Sequence, residues 1–455
     1  MRQRLRGFLF GEYTIAQGSA IFIGAFLISA ALGVVRQVLF NAQFGAGAEA
    51  SAYYAAFRMP DTIANLISGG ALSNAMIPVL LRAAHAGGDQ AEEHLANLVL
   101  TLLTLVVALF VAISWLAAPW FVRVVLAPGF DAPTAALAVT LTRMLLLQVL
   151  LAVTSSVAIA LLNRRNQFVL TGLVIASTNI TIVAGILAAH YIPGVGIYGP
   201  TLGVVADALI QIAILLPGVA ANRLRLRPAW DLADRRLRQV IRVLIPNGLS
   251  AMVDYAGGIV DTAFATLARE AAGLPALHNA LLLIGLPLRL LGIALAQAAF
   301  PRLAAHAANG AWQHMHATLR RALLAAVGMA VPTLLGLLLA GRELIRVLFE
   351  RGRFDADAGG LTYAMLAIYA LGLPAYVATE VLTRALIALH DTITPLLTNL
   401  LQTFWRVVLI WLLLEPAGVA AIPIAFAVTS ACETLLLGMV LFRRLRRLQS
   451  LPAAG

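Results

Sequence analysis

The sequence predicts an all-α membrane protein of about twelve transmembrane helices, arranged as two parallel six-helix lobes around a central cavity. Three observations predict it. Hydrophobic residues make up 61% of the 455-residue chain and charged residues only 12%, against roughly 25% charged in a soluble domain. The apolar residues come in long runs, near the roughly 20 that a helix needs to cross hydrocarbon, without the two-residue alternation of barrel strands. Two segments also recur at nearly constant spacing. Such a composition excludes a water-soluble enzyme, a disordered chain and a nucleic-acid binder. The one cysteine, Cys432, excludes a disulfide framework and a cysteine-built metal site.

Twelve spans are read, at about 13–40, 52–81, 95–119, 134–162, 168–190, 198–220, 239–267, 276–301, 322–341, 358–389, 394–414 and 417–442. The tenth exceeds one straight crossing. Gly372 and Pro374 are expected to bend it, because an interior proline removes a backbone bond and crowds the preceding turn. All 32 basic residues are arginine. With the N-terminus inside, most fall in inner loops and at the two ends, so both termini are expected in the cytoplasm. The Arg342–Arg353 loop runs against that rule. The net charge of +11 therefore reads as orientation and contact with anionic headgroups. The basic start runs into a full span with no clear cleavage site, so the first helix is expected to anchor the mature protein.

The halves resemble each other. ALSNAMIPVL at 71–80 aligns with ALAQAAFPRL at 294–303, and GFDAPTAAL at 129–137 with RFDADAGGL at 353–361. A polar connector at 221–238 separates a lobe at 1–220 from a lobe at 239–455. Six spans per half give both the same orientation. A parallel repeat of this kind implies substrate between the lobes and alternating access.

Ionisable side chains within spans cost about 2.5–3.5 kcal/mol on insertion scales and so point to function. Arg36, one turn after Gly33, is either a cavity arginine gripping phosphate oxygens or a side chain snorkelling at the rim. Arg58 precedes Pro60 and Asp61, where a substrate role competes with a local Arg58–Asp61 pair. Arg289 follows Pro287 on nearly the same face as Leu282, and is either the second lobe's cavity charge or half of an ion pair. Asp254 and Asp261 stand seven residues apart, roughly 10 Å along one face. They are candidates for Na⁺ or proton coupling, or for pairing with an arginine. Glu380 is a third candidate for that coupling, with an i,i+4 salt bridge to Arg384 as the competing reading. Asp207, Arg143, Arg406 and Glu433 read as structural pairs or cavity lining. His306, His314 and His316 read as a solvated loop. No zinc-protease helix motif, P-loop or nucleophile with its base occurs, so neither an enzyme nor a bound cofactor is expected beyond a coupling ion.

Six segments carry a resemblance to a known family: LGVVRQVLFNAQFGAG (32–47), AFRMPDTIANLISGGALSNAMIPVL (56–80), LAPGFD (126–131), ALLNRRNQF (160–168), LFERGRFD (348–355) and ALHDTITP (388–395). In this order they resemble the MurJ/MviN family of lipid II flippases, within the superfamily of multidrug and polysaccharide exporters. The resemblance implies a polyprenyl-diphosphate-linked peptidoglycan precursor, moved across the bacterial cytoplasmic membrane with the head in a cationic cavity and the tail in lipid. It also implies membrane lipids and cell-wall synthesis enzymes as partners, for a protein expected to be a monomer. Where the family usually carries arginine this chain has Ala30, Ala64 and Leu282, and of those cavity arginines Arg36 alone is matched. Arg58 matches a basic position before the second-span proline. The family often has two spans more. Two other functions stay open: a drug or small-molecule antiporter on the same scaffold, which would favour an acidic cavity, and a non-transporting scaffold descended from a flippase.

Overall fold

In the computed structural model the backbone is described at residues 7–68, 71–268 and 270–450; within these, the side chains at 15, 65–68, 71, 73–75, 246–255 and 449–450 are not. The described residues form helices and turns, with no β-strand among them. The helices are α1 (Ile15–Phe44), α2 (Ala48–Ser68), α3 (Ala71–Phe121), α4 (Ala132–Arg164), α5 (Phe168–Tyr191) and α6 (Tyr198–Ala221). After the connector come α7 (Arg235–Leu267), α8 (Gly273–Pro287), α9 (Ala294–Ala308), α10 (Trp312–Phe349), α11 (Ala356–Ala388), α12 (Ile393–Ala417) and α13 (Ala421–Ser450).

The twelve expected spans map onto these helices in order. The second falls on α2 and the start of α3. The third is the rest of α3, set off by a kink where Gly88 takes φ 66°; glycine reaches that conformation at no steric cost. The eighth is α8 and α9 joined by a π-helical turn, Leu288–Ile293. Pro287 lies at its start, and a proline without an N–H leaves the regular ladder one donor short. The tenth, α11, runs as one helix through Pro374. The ring of Tyr376 occupies the space that Gly372 leaves open.

The chain divides into two compact units, Met1–Ile259 and Val260–Gly455. The division falls inside α7 and not at the 221–238 connector. The connector is strapped onto the first unit: Asn97 of α3 donates to the Arg225 carbonyl and accepts from the Arg227 amide, both at 2.9 Å. Thr101, one turn on, accepts from the Ala229 amide at 2.9 Å. These bonds to side chains of α3 hold the segment to the first lobe.

Four helix pairings recur in both units, and the packing of α1 on α5 is described in the first. In the first, α4 packs on α2, α3 and α6, α5 on α6, and α1 on α5. In the second, α11 packs on the α8–α9 span, α10 and α13, and α12 on α13. The turns repeat to the hydrogen bond. Asn166 (φ 57°) and His390 (φ 58°) both take the left-handed conformation. The Asn166 and Gln167 amides bond to the carbonyls of Asn163 and Leu162, and the His390 and Asp391 amides to those of Ile387 and Leu386. Asp131 and Asp355 both precede a helix in extended backbone, and Asp355 caps α11 through the Ala358 amide at 2.9 Å.

Candidate functional site

The first unit gathers a charged and aromatic cluster where α1 meets α2. Position i and i+4 on one helix face are neighbours, so Gln37 and Asn41 stack on α1, and the Gln37 amide donates to Asn41 Oδ1 at 3.0 Å. The same nitrogen donates to the Tyr54 hydroxyl of α2 at 2.6 Å. Phe40 packs its ring 4.7 Å from Tyr53 and 5.3 Å from Tyr54. Gln37, Asn41, Tyr53 and Tyr54 are all buried. This base fixes the two helices, and charge stands beside it.

Arg36 and Arg58 are both half-buried. The carboxylate of Asp61, one turn after Arg58, lies in the field of both guanidinium groups. Arg36 also acts on the Tyr53 and Tyr54 hydroxyls. Gly258 of α7 lies against the Arg58 guanidinium, where a Cβ would make ordinary contact with Nη1 at 3.4 Å. Two delocalised cations thus act on one carboxylate, in partial shelter from water. Guanidinium groups so placed offer paired N–H donors that match two oxygens of a phosphate or carboxylate.

The remaining sequence candidates separate. Arg289 is exposed on the π-helical turn, with no ion-pair partner among the described residues. Asp261 is buried and paired with Arg406 of α12, whose guanidinium also lies 4.6 Å from the centre of the Phe426 ring. The arginine-paired reading of Asp261 is therefore the one the geometry takes. Glu380 packs beside Gly292, where an added Cβ would lie 3.3 Å from its Cγ, and near enough to Glu433 for the two carboxylates to act on each other. None of the described ion pairs joins it to Arg384. The side chain of Asp254 lies outside the described residues. Ala30 is exposed and Ala64 and Leu282 are half-buried, so the three positions add no charge to either lobe.

Sequence reasoning passed over Gln37, Asn41, Tyr53 and Tyr54. The adjacent tyrosines four and five residues before Arg58 were a usable signal, because paired tyrosines at a span's rim offer hydroxyls beside apolar faces. Arg143 proves to be structural. It lies 4.3 Å over Trp115 and donates to that residue's carbonyl at 3.1 Å.

Comparison with known proteins concerns the chain as a whole. The family described as lipid II flippase MurJ matches residues 40–453. A probable lipid II flippase MurJ of Rhizobium tropici is 26% identical over 426 residues, covering 92% of this chain and 80% of the relative. The lipid II flippase MurJ of Burkholderia cenocepacia is 27% identical over 379 residues, 82% of this chain and 73% of the relative. A solved lipid II flippase MurJ in an inward closed conformation superposes with a TM-score of 0.79 at 20% identity, covering 94% of this chain and 90% of that one. An inward-facing multidrug resistance transporter of the MATE family gives 0.78 at 13% identity, covering 93% of this chain and 96% of that one.

Proposed function

The chain belongs to the lipid II flippase MurJ family, and on that premise we propose that it moves a polyprenyl-diphosphate-linked peptidoglycan precursor across the bacterial inner membrane. The single observation that carries this reading at the level of residues is the Arg36–Arg58 pair around Asp61 in the first unit. A lipid diphosphate is an anion whose transfer through hydrocarbon is prohibitive without a compensating charge. Two guanidinium groups in partial shelter supply that charge and the forked geometry to hold it. While no anion is present, Asp61 balances the pair. An arriving diphosphate takes over its role, and the head is held while the polyprenyl tail stays in lipid.

In this reading Arg36 and Arg58 are the headgroup contacts, and the exposed Arg289 adds the second unit's cationic contact. Movement is alternating access, the mode that inward and outward forms of relatives on this fold support. The drive is an Na⁺ or proton gradient taken up at Asp254 or Glu380, since Asp261 is committed to Arg406. Both termini face the cytoplasm. The protein works as a monomer that receives its cargo from cell-wall synthesis enzymes.

Complementation tests the proposal. In a bacterium depleted of its own lipid II flippase, the unmodified chain restores growth. Arg36→Ala and Arg58→Ala do not, at unchanged protein level in the membrane. Full rescue by both variants would refute the assignment of the site, and failure of the unmodified chain at normal level would refute the cargo.

A further inference from the structure

In the second unit a cavity of about 400 Å³ lies between α12 and α13. Its walls include Leu409, Leu412, Val428 and Trp405, and Gln402 and Glu433 also line it. That volume falls in the range of small-ligand sites, which combine apolar walls with a few polar groups. The carboxylate deserves comparison with its counterpart in the first unit. There the matching helix pair, α5 and α6, also carries one buried acid, Asp207. Its oxygens accept from Ser177, Thr178 and Gln211, each at 2.7 Å. Asp207 is thus satisfied by neutral donors. Glu433 accepts one long hydrogen bond among the described residues, from Thr398 at 3.4 Å. Its neighbour Glu380 bears the same sign of charge. Two arginines of these helices are paired elsewhere: Arg406 holds Asp261, and Arg444 holds Asp391. Gln402 is turned to Thr429 and Ser430.

An ionised carboxylate at the depth of a spanning helix needs a positive partner. The cavity wall supplies what such a partner needs besides charge, a large apolar surface that includes the Trp405 indole, an aromatic group that attracts cations. We propose that the α12–α13 cavity binds a lipophilic organic cation, with Glu433 as its counter-charge and Trp405 against its apolar body. This is a site separate from the Arg36–Arg58 pair, and its ligand has the opposite charge. A neutral acyl chain also suits the walls, but it makes no use of Glu433 and its binding would not depend on charge.

The full-length protein in lipid nanodiscs is dialysed against radiolabelled tetraphenylphosphonium, with tetraphenylborate as a probe of the same shape and opposite charge. Saturable binding of about one phosphonium per chain is expected, with no saturable borate binding. Glu433→Gln is expected to weaken the phosphonium at least tenfold while the variant stays folded. Leu412→Trp, which fills the cavity and keeps the acid, is expected to do the same. Cys432, the one cysteine of the chain, lines the cavity, so phosphonium is also expected to slow its alkylation by a membrane-permeant maleimide in the unmodified protein and not in Glu433→Gln. No saturable binding, equal binding of the two probes, or undiminished binding in either folded variant would overturn the proposal.

Discussion

The two units share a topology and differ in how their helices are bolted together. In the first, α1 meets α5 through neutral groups: Asn179 donates to the Ser29 carbonyl and hydroxyl at 2.9 Å, and Ser29 donates to the Ile175 carbonyl at 2.9 Å. In the second, the corresponding helices, α7 and α12, are joined by the buried ion pair of Asp261 and Arg406. The acid between the last two spans is satisfied in the first unit at Asp207 and sparsely bonded in the second at Glu433. The two units share most helix pairings and the turns between them. The polar chemistry inside each unit then became specialised, with the cationic pair in the first and a cavity with an acidic wall in the second.

The largest expected effect tests the joints. Arg406→Leu leaves Asp261 buried without its guanidinium, which costs about 3–5 kcal/mol where such pairs are broken. Asn179→Ala in the first unit removes neutral interhelical bonds worth about 0.6 kcal/mol each in membranes. Thermal unfolding of the purified variants should show this order, with the Asp261→Asn, Arg406→Gln double variant recovering much of the loss. Equal destabilisation in both units would break the contrast.

The two acids come next. Asp207→Asn should cost about 1.5–3 kcal/mol, because charge-assisted bonds are lost and hydroxyl donors are left facing an amide. Glu433→Gln should cost under about 1 kcal/mol, since one long bond is at stake. Denaturant-dependent unfolding in a single detergent would measure both.

The matching turns predict equality where the joints predict difference. Asn166→Val and His390→Val each force a β-branched residue into left-handed backbone, at about 1–2 kcal/mol. Melting temperatures lowered by unequal amounts would show that the bond-for-bond repeat does not extend to its energetics.

The smallest effect concerns pH. Asp234 caps α7 and bonds Arg236 at 2.9 Å, and that bond holds its carboxyl below the usual carboxylate range. A depressed folded value means its contribution is complete above the unfolded value of about 3.9 and is lost as pH falls through the folded one. Proteolytic nicking of the connector should therefore stay constant from neutral pH to about pH 4.

Much of this was legible in the sequence, for identifiable reasons. The spans were, because bilayer thickness sets a length that soluble cores do not impose. The repeat was, because Asp131 and Asp355 mark equivalent helix starts. Pairing across long separations was not. Asp261 and Arg406 stand 145 residues apart, and no local pattern announces that a candidate coupling acid is already occupied. Glu380 and Arg384 show the reverse case, a favourable i,i+4 spacing that appears in none of the described ion pairs. The connector read as a divider because its side chains are polar, yet its backbone amides and a carbonyl are what Asn97 and Thr101 bind.

The central claim is that the first unit's paired arginines carry a lipid diphosphate head. It is tested most directly in proteoliposomes that hold the purified chain and a fluorescent lipid II analogue, with transbilayer movement read by leaflet-selective quenching. The account predicts movement by the unmodified protein and at least a tenfold loss in the Arg36→Ala, Arg58→Ala double variant, reconstituted as folded protein. Undiminished movement by that folded variant would contradict it.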